Sequence, residues 1–181
     1  EREDKIINDL LALVKMDKSA ASVNITSVDI NALTELILRR LRPIAKKTDI
    51  ELTLISKREI IAEVDEVKLS LILTNLIENA IKYNREQGKV NVILDADHQF
   101  FTVQVADTGI GIPEDSIQHI YERFYRVDKS HSREIGGTGL GLAIVKHILM
   151  RLKGELKLVS TPGQGTIITI AFPSCKEDTD R

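Results

Sequence analysis

One stretch of the chain, residues 69–84, constrains the fold more than any other. Its sequence, LSLILTNLIENAIKYN, carries apolar residues at helical spacing. When the stretch is projected at about 100° per residue, these residues fall on one broad arc: Leu69, Leu73, Leu76, Ile77 and Ala80. Asp65 precedes the stretch and can cap the helix by accepting a hydrogen bond from a backbone N–H. We therefore predict a long amphipathic helix whose apolar side faces a core.

The polar side of this helix has an unusual composition. Lys68, Asn75, Asn79 and Lys82 fall within a narrow stripe, and Tyr83 lies at its edge. From Asn75 onward the spacing is i, i+4, i+7, i+8, so these side chains line one groove. One interpretation is an ordinary solvated face. The other is the wall of a site for a metal, a phosphate and a base, because asparagine is a poorer helix former than the residues that solvated faces usually carry.

Composition narrows the class of protein. The 181 residues carry a formal net charge of −2, which gives no general attraction to nucleic acid or to an anionic membrane. The single cysteine, Cys175, excludes an internal disulfide framework and fits a reducing compartment. The 43% of hydrophobic residues can form a core, but no apolar run reaches the roughly 18 residues of a membrane-spanning helix.

The hydrophobic periodicity predicts an α+β fold. Predicted strands cover residues 26–30, 50–56, 60–62, 90–94, 101–105, 155–160 and 166–172, and predicted long helices cover residues 31–47, 69–84 and 139–153. Three long helices and a mixed, mostly antiparallel sheet predict a two-layer α/β sandwich with the helices on one face of the sheet. The other face of the sheet can then remain in contact with solvent.

A carboxylate and two glycines follow one predicted strand directly. Asp107 ends the strand, and Gly109, Gly111 and Ile112 lie in the segment after it. A carboxylate at a strand end can accept a hydrogen bond from an exocyclic amine, and glycines let the backbone approach a flat ring closely. A plain turn is the alternative, because Asp-Thr-Gly is favourable turn chemistry.

A second glycine-rich segment, GGTGLG at residues 136–141, precedes a predicted helix. Backbone amides at a helix N-terminus attract phosphate, whereas the alternative is a hinge followed by an N-cap. The segment is not a P-loop, which needs Gly-Lys-Ser/Thr, and the dinucleotide pattern needs glycine where Leu142 stands. Cations of the preceding loop can reach over a triphosphate, although ordinary surface charge is the alternative for each: Arg123, Arg126, Lys129 and Arg133.

Histidine and cysteine chemistry is not indicated. The four histidines show no close metal-ligand spacing: His98, His119, His131 and His147. The sequence also indicates neither a Ser/His/Asp triad nor a cysteine nucleophile. The candidate chemistry therefore lies with the polar helix stripe and the two glycine-rich segments.

Four segments, taken in order, resemble the sequence boxes of one family. Residues 75–83 (NLIENAIKY) are similar to an N box, residues 107–111 (DTGIG) to a first glycine box, residues 121–128 (YERFYRVD) to an F box, and residues 137–142 (GTGLGL) to a second glycine box. Together they resemble the catalytic and ATP-binding domain of bacterial sensor histidine kinases, within the GHKL ATPase superfamily. The resemblance covers residues 26–173. It is nearest to the phosphate- and cell-wall-sensing kinases of Gram-positive bacteria and implies the Bergerat ATP-binding fold.

The resemblance implies ATP and Mg²⁺ as cofactors and gives the boxes roles. Asn79 would hold the Mg²⁺ that bridges the phosphates, and Asn75, the one candidate catalytic residue, would support it by positioning. Lys82 would contact phosphate, Tyr83 would lie against the adenine, and Asp107 would accept from the adenine 6-amino group. The implied ATP-binding residues are Asn75, Asn79, Lys82, Tyr83, Asp107, Gly109, Gly111, Ile112, Phe124, Tyr125, Arg126, Arg133, Gly137, Thr138, Gly139, Leu140, Gly141, Leu142 and Thr166.

The resemblance also implies a division of the chain. Residues 1–22 resemble the end of a dimerisation and phosphoacceptor helix with its linker, residues 23–174 the catalytic domain, and residues 175–181 a tail that we expect to be disordered. None of the histidines fits the acceptor motif, so the acceptor is expected on a dimerisation domain outside this chain. That domain and a cognate response regulator are the expected partners, with no nucleic acid. We expect the full-length protein to be a membrane-anchored homodimer with this domain in the cytoplasm. This chain by itself is expected to be soluble and able to exist as a monomer.

Three rival interpretations share part of this pattern. ATPases of the gyrase, mismatch-repair or heat-shock chaperone type carry a water-activating Glu where this chain has Asn75, and Glu78 points about 100° away from Asn79 on the helix. Hydrolysis is therefore expected to be slow. A protein-serine kinase of the anti-sigma type is disfavoured by the helix remnant at residues 1–18. A nucleotide-binding module without catalysis is the alternative from another class.

Overall fold

The structure is a computed structural model that describes residues 23–111 and 141–173. Its helices and strands follow one another in this order: β1 Ile25–Asp29, α1 Ile30–Lys47, β2 Glu51–Ser56, β3 Ile61–Asp65, α2 Glu66–Lys82, β4 Lys89–Ala96, β5 Phe100–Asp107, α3 Gly141–Leu152, β6 Glu155–Thr161 and β7 Gly165–Pro173. None of the helices in these two ranges is long and apolar enough to cross a bilayer. The helix remnant, the F box and the C-terminal tail predicted from the sequence lie outside the described residues.

The strands form two sheets. The main sheet has the order β2-β4-β5-β7-β6, with β2 and β4 parallel and the other neighbours antiparallel. β1 and β3 form a separate antiparallel pair, in which Asp29 lies opposite Ile61. The predicted fold class is confirmed. The sequence pattern does not predict that β1 and β3 are separate from the main sheet. The predicted third strand, residues 60–62, is also too short, because residues 63–65 pair with β1 and extend it.

The helices pack on one face of the main sheet, where the core lies. Alternate residues of β4 point into it, so Val90, Val92 and Leu94 are fully buried. The rings of Phe101 and Phe172, register partners in β5 and β7, stack there with centroids 5.3 Å apart. Burial of one such ring contributes about 1.5–3 kcal/mol. The core therefore fixes β5, the strand that ends at Asp107.

α2 is the helix predicted from residues 69–84, and it contacts both α1 and α3. Its predicted apolar arc is buried: Leu69, Leu73, Leu76, Ile77 and Ala80. The Asp65 carboxylate accepts from the backbone N–H of Lys68 at 3.1 Å, which confirms the cap. The helix ends at Lys82 and not at Asn84, because Tyr83 is a C-cap with ψ 17° and no longer continues the helix.

Candidate functional site

The Asp107 carboxylate is held by backbone N–H groups from two segments. Oδ1 accepts from Gly109 N at 2.9 Å and from Thr166 N at 3.2 Å. Within the described ranges no group donates to Oδ2. Burial raises the pKa of Asp107, and the hydrogen bonds from Gly109 and Thr166 offset that only in part. The arrangement presents one oriented oxygen to a ligand that can donate a hydrogen bond.

Thr166 supports this carboxylate from behind. Only 7% of the residue is exposed, and its Oγ1 lies 2.8 Å from Ser160 Oγ across the β6–β7 pair. Its hydrogen bonds go to protein groups, through the backbone N–H to Asp107 and through the hydroxyl to Ser160. Thr166, a predicted site residue, thus contacts Asp107 through its backbone N–H.

Glycines are required where backbones cross around Asp107. A Cβ on Gly109 would overlap the carbonyl oxygen of Tyr83, and a Cβ on Gly111 would overlap that of Thr161. Gly165 has φ +130°, and a Cβ there would overlap the carbonyl oxygen of Asp107. From the sequence alone, Gly109 and Gly111 are expected to let the backbone approach a flat ring. The structure gives them a different sufficient reason, namely close contact between protein backbones.

Three segments meet at this crossing, which we call the junction: residues 83–85 after α2, residues 107–111 after β5, and the turn of residues 161–165. The Ile110 N–H donates to the Tyr83 carbonyl at 3.2 Å, and the Gly163 N–H donates to the Ile110 carbonyl at 2.8 Å. The junction therefore joins the C-terminal end of α2 to the segment that carries Asp107.

Side chains that the sequence analysis did not single out tie the same segments. Asn84 Nδ2 donates to the Lys89 carbonyl at 3.0 Å, and Thr108 Oγ1 accepts from Lys89 N at 2.9 Å. Arg85 Nη2 donates to carbonyl oxygens of two segments of the junction. Nothing in the sequence marks these residues, because a polar residue after a helix resembles ordinary surface until the sheet order brings its partners near.

The polar stripe of α2 is half buried, which disfavours an ordinary solvated face. Asn75 Nδ2 donates to the Leu71 carbonyl at 2.8 Å, so its Oδ1 is turned away from the helix backbone. The side-chain amide of Asn79 has no hydrogen-bond partner within residues 23–111 and 141–173. Lys82 lies 3.9 Å from Glu78. Lys68 contributes to the N-cap of α2, where its ammonium lies 3.2 Å from Asp65.

The Asn79 side chain can offer one oxygen to a metal ion. No group of three or more His, Cys, Asp or Glu side chains could hold a metal ion in the part of the chain that the structure describes. A protein cage for a metal is therefore not formed by those residues. An Asn oxygen fits Mg²⁺, which takes oxygen ligands and usually keeps waters and substrate phosphates in its shell.

The predicted residues separate into a group joined by contacts and a group that is not. The hydrogen bonds and close backbone contacts of the junction connect Tyr83, Asp107, Gly109, Gly111 and Thr166. One backbone hydrogen bond links the stripe of α2 to that group, because the Tyr83 N–H donates to the Asn79 carbonyl at 3.0 Å. Among the described residues, the side chains of Asn75 and Asn79 make no hydrogen bond to the group. Gly141 begins α3 and Leu142 follows it. The remaining predicted residues lie outside the described ranges: Ile112, Phe124, Tyr125, Arg126, Arg133, Gly137, Thr138, Gly139 and Leu140.

A groove of about 720 Å³ lies elsewhere, between the C-terminal half of α1 and β2. Its charged lining combines cations and carboxylates: Arg39, Arg42, Lys46, Asp49 and Glu51. It contains none of the residues that the sequence analysis assigned to a site. The chemistry of the junction therefore remains the better candidate for function.

The two-layer sandwich presents an acceptor carboxylate beside the C-terminal end of α2, an arrangement that suits a nucleotide-binding domain. Residues 64–176 match the family described as histidine kinase-, DNA gyrase B- and HSP90-like ATPase. The chain belongs to this family. Its predicted class, the catalytic and ATP-binding domain of a sensor histidine kinase, is confirmed by its relatives.

Curated relatives carry sensor kinase names. The chain is 39% identical over 175 residues to the sensor protein kinase WalK of Staphylococcus epidermidis, a match that covers 96% of this chain and 28% of that protein. It is 36% identical over 183 residues to the sensor histidine kinase WalK of Bacillus subtilis, covering 99% of this chain and 30% of that protein. The chain thus spans less than a third of their length. Both relatives come from Gram-positive genera, which agrees with the predicted Gram-positive type of kinase.

Solved structures share the fold. The full-length ShkA structure in complex with AMPPNP superposes with a TM-score of 0.81 at 28% identity, covering 94% of this chain and 36% of that chain. The catalytic domain of histidine kinase ThkA superposes with a TM-score of 0.73 at 24% identity, covering 83% of this chain and 96% of that chain. At 24% identity, the likeness to ThkA establishes the fold alone.

Proposed function

We propose that the chain binds Mg-ATP and transfers its γ-phosphoryl group to a histidine on a dimerisation domain outside this chain, for relay to a response regulator. The observation that carries the proposal is the Asp107 carboxylate. Among the described residues, two backbone N–H groups donate to its Oδ1 and none donates to its Oδ2. Oδ2 is therefore available to accept a hydrogen bond from a ligand. An exocyclic amine of adenine is a donor of the required kind.

The proposed site extends from Asp107 along α2. Tyr83 follows the last turn of α2 and would lie against the adenine, and Lys82 would contact phosphate. Asn79 would hold the Mg²⁺, with Asn75 as a positioning neighbour. When bound, the ion supplies charge neutralisation at the phosphates, which phosphoryl transfer needs more than covalent help from the protein. The half-buried stripe of α2 and its relation to the junction support these roles.

Transfer to protein is favoured over transfer to water. Asn75 is an amide and cannot take a proton from water, and its Nδ2 donates to the Leu71 carbonyl. Glu78 lies 3.9 Å from Lys82, so its charge is directed along the helix to an ammonium group. In the proposed reaction the bond from the γ-phosphorus to the bridging oxygen breaks, ADP leaves with that oxygen, and a bond forms from the phosphorus to an imidazole nitrogen.

The assembly around this domain is proposed from its relatives. ThkA was solved in complex with a response regulator protein, TrrA, with a TM-score of 0.76 to this chain at 18% identity. The curated relatives are named sensor kinases and are more than three times as long. We infer a membrane-anchored homodimer, with residues 1–22 leading from the phosphoacceptor helix, residues 23–174 forming the catalytic domain in the cytoplasm, and residues 175–181 as its tail.

A phosphotransfer assay tests the proposal. The chain would be mixed with ATP, Mg²⁺ and a separately produced dimerisation domain from the longer protein, and acid-labile phosphate on that domain would be measured. We expect a phosphohistidine to form with wild-type protein and not with Asp107→Asn. If ATP binds but no phosphohistidine forms under any condition, the second candidate, a nucleotide-binding module without kinase activity, is favoured instead.

A further inference from the structure

Arg85 links two segments of the junction through one nitrogen atom. Its Nη2 donates to the Gly109 carbonyl at 3.1 Å and to the Gly163 carbonyl at 2.5 Å. The second partner is 78 positions away in sequence and belongs to the turn between β6 and β7. Arg85 itself follows the C-cap of α2. A single side chain therefore connects the helix end, the segment after β5 and the β6–β7 turn.

The Gly109 residue transmits this contact to Asp107. Its carbonyl accepts from Arg85, and its N–H donates to Asp107 Oδ1 at 2.9 Å. Movement of Gly109 would therefore change the direction of the carboxylate. The same oxygen also accepts from the backbone N–H of Thr166, which lies just after the turn that Arg85 also contacts. Both supports of Asp107 Oδ1 are thus tied to Arg85.

We propose that Arg85 is a positioning residue of the nucleotide site, and that it sets the preference for adenine by fixing the direction of the Asp107 carboxylate. This inference rests on the proposed function. Arg85 does not need to touch the nucleotide for this role. Its charge-assisted hydrogen bonds to two carbonyls stabilise one arrangement of the three backbone segments of the junction. Close backbone contacts at Gly109 and Gly111 already restrict the arrangements that these segments can adopt.

Removal of Arg85 also removes a positive charge, and the test must separate the two effects. ATP and GTP carry the same phosphates, so a change in the electrostatic field alters both affinities equally and cancels in their ratio. A change in the direction of Asp107 alters the ratio, because only adenine offers an exocyclic amine to Oδ2 at that position. The ratio of the dissociation constants for GTP and ATP is therefore the decisive readout.

The experiment compares wild type, Arg85→Ala and the control Arg58→Ala. Arg58 is a suitable control because its side chain is 66% exposed and its ion pair, with Asp95 at 3.9 Å, lies at the other end of β4. Dissociation constants for ATP and GTP would be measured by fluorescent-nucleotide displacement, after melting curves have established that each variant is folded. We expect Arg85→Ala to weaken ATP binding about tenfold, as loss of one to two hydrogen bonds would.

The expected pattern is a GTP-to-ATP ratio that falls at least about threefold in Arg85→Ala and is unchanged in Arg58→Ala. A wild-type ratio in Arg85→Ala, with or without weaker ATP binding, would overturn the inference and leave the proposed function intact. If wild-type protein binds no ATP, the proposed function fails, and this inference fails with it. The two failures are therefore distinguished by the wild-type titration alone.

Discussion

The backbone N–H of Thr166 donates a hydrogen bond of 3.2 Å to Oδ1 of Asp107, across 59 positions of sequence. Asp107 ends β5 and Thr166 lies at the start of β7, the neighbouring strand in the main sheet. The bond fixes the carboxylate without using its second oxygen. Sheet topology thus creates the acceptor on which nucleotide recognition depends in our account.

Burial of Asp107 should make the ligand-free fold sensitive to its charge. Its pKa is raised in the folded state, so its contribution to stability is complete below the unfolded value, near 3.8, and is lost as pH rises through the folded value. We expect Asp107→Asn to melt at a higher temperature than wild type at pH 7.5. The difference should shrink as pH falls toward 4.

The contribution of Asp97 to stability should depend on pH in the opposite direction to that of Asp107. Asp97 Oδ1 accepts from the backbone N–H groups of Phe100 at 2.7 Å and Gln99 at 2.8 Å, and these bonds lower its pKa. Its stabilisation is therefore present above 3.8 and lost as pH falls through the folded value. Asp97→Asn should melt below wild type at pH 7.5. Equal pH behaviour of the Asp97 and Asp107 variants would contradict this assignment.

Two turn glycines with positive φ should differ sharply in their tolerance of alanine. A Cβ on Gly165 would overlap the Asp107 carbonyl, whereas a Cβ on Gly163, at φ +79°, would meet nothing within 4 Å. Gly163→Ala should cost about 1 kcal/mol of backbone strain. Gly165→Ala should cost at least about 2 kcal/mol more. Urea denaturation measures both, and equal losses would show that crowding at Asp107 is unimportant.

The N-cap of α2 should contribute to stability through an almost buried ion pair. The side chains of Lys68 and Asp65 are 13% and 6% exposed and lie 3.2 Å apart. Burial raises the pKa of Asp65, but hydrogen bonds from Lys68 and Asn24 and the charge of Lys68 outweigh that effect and lower it. We expect Asp65→Asn to lower the free energy of unfolding at pH 7 by about 2 kcal/mol.

The exposed pair of Glu51 and Lys89 is the matched control for Asp65. These side chains are 66% and 62% exposed and lie 4.0 Å apart. Glu51→Gln should change the unfolding free energy by less than about 0.5 kcal/mol. The Asp65 effect should also diminish as pH falls below 3.8, where its stabilising contribution is lost. Equal effects of the two substitutions in urea denaturation would contradict the role of burial.

Asn79 is expected to carry the dependence of ATP binding on Mg²⁺. Its amide is half buried on α2, one turn after Asn75. Asn79→Ala should bind ATP in Mg²⁺ about as weakly as wild type does in a chelator. Asn91→Ala, on the face of β4 opposite the buried valines, should keep the full Mg²⁺ effect. An unaltered Mg²⁺ effect in the Asn79 variant, measured by calorimetry, would exclude the metal role.

The parts of the fold that depend on local pattern could be predicted from the sequence. The buried arc of α2 and its cap at Asp65 follow from residue spacing and capping chemistry, and Asp107 stands out because it ends an alternating strand before glycines. The approach of Thr166 to Asp107 could not be derived from periodicity. It depends on which strands become neighbours in the sheet, and many distant contacts decide that together.

The glycine positions and Arg85 illustrate the same limit. Turn chemistry identifies Gly109 and Gly111 as special, but only the crossing of three segments reveals that the Tyr83 and Thr161 carbonyls exclude a Cβ there. The partners of Arg85 lie 24 and 78 positions away. No local pattern relates such positions, so the residue resembles ordinary surface charge in the sequence.

The most direct test of the account is a calorimetric titration of ATP, in Mg²⁺ at pH 7.5, into wild type and Asp107→Asn. Asn can keep an oxygen toward Gly109 and Thr166, but then it turns an N–H₂ donor toward the adenine amine. We predict that wild type binds ATP and that the variant, still folded, binds about 100-fold more weakly. Equal affinity of the two proteins for ATP would contradict the assignment of Asp107 as the adenine acceptor.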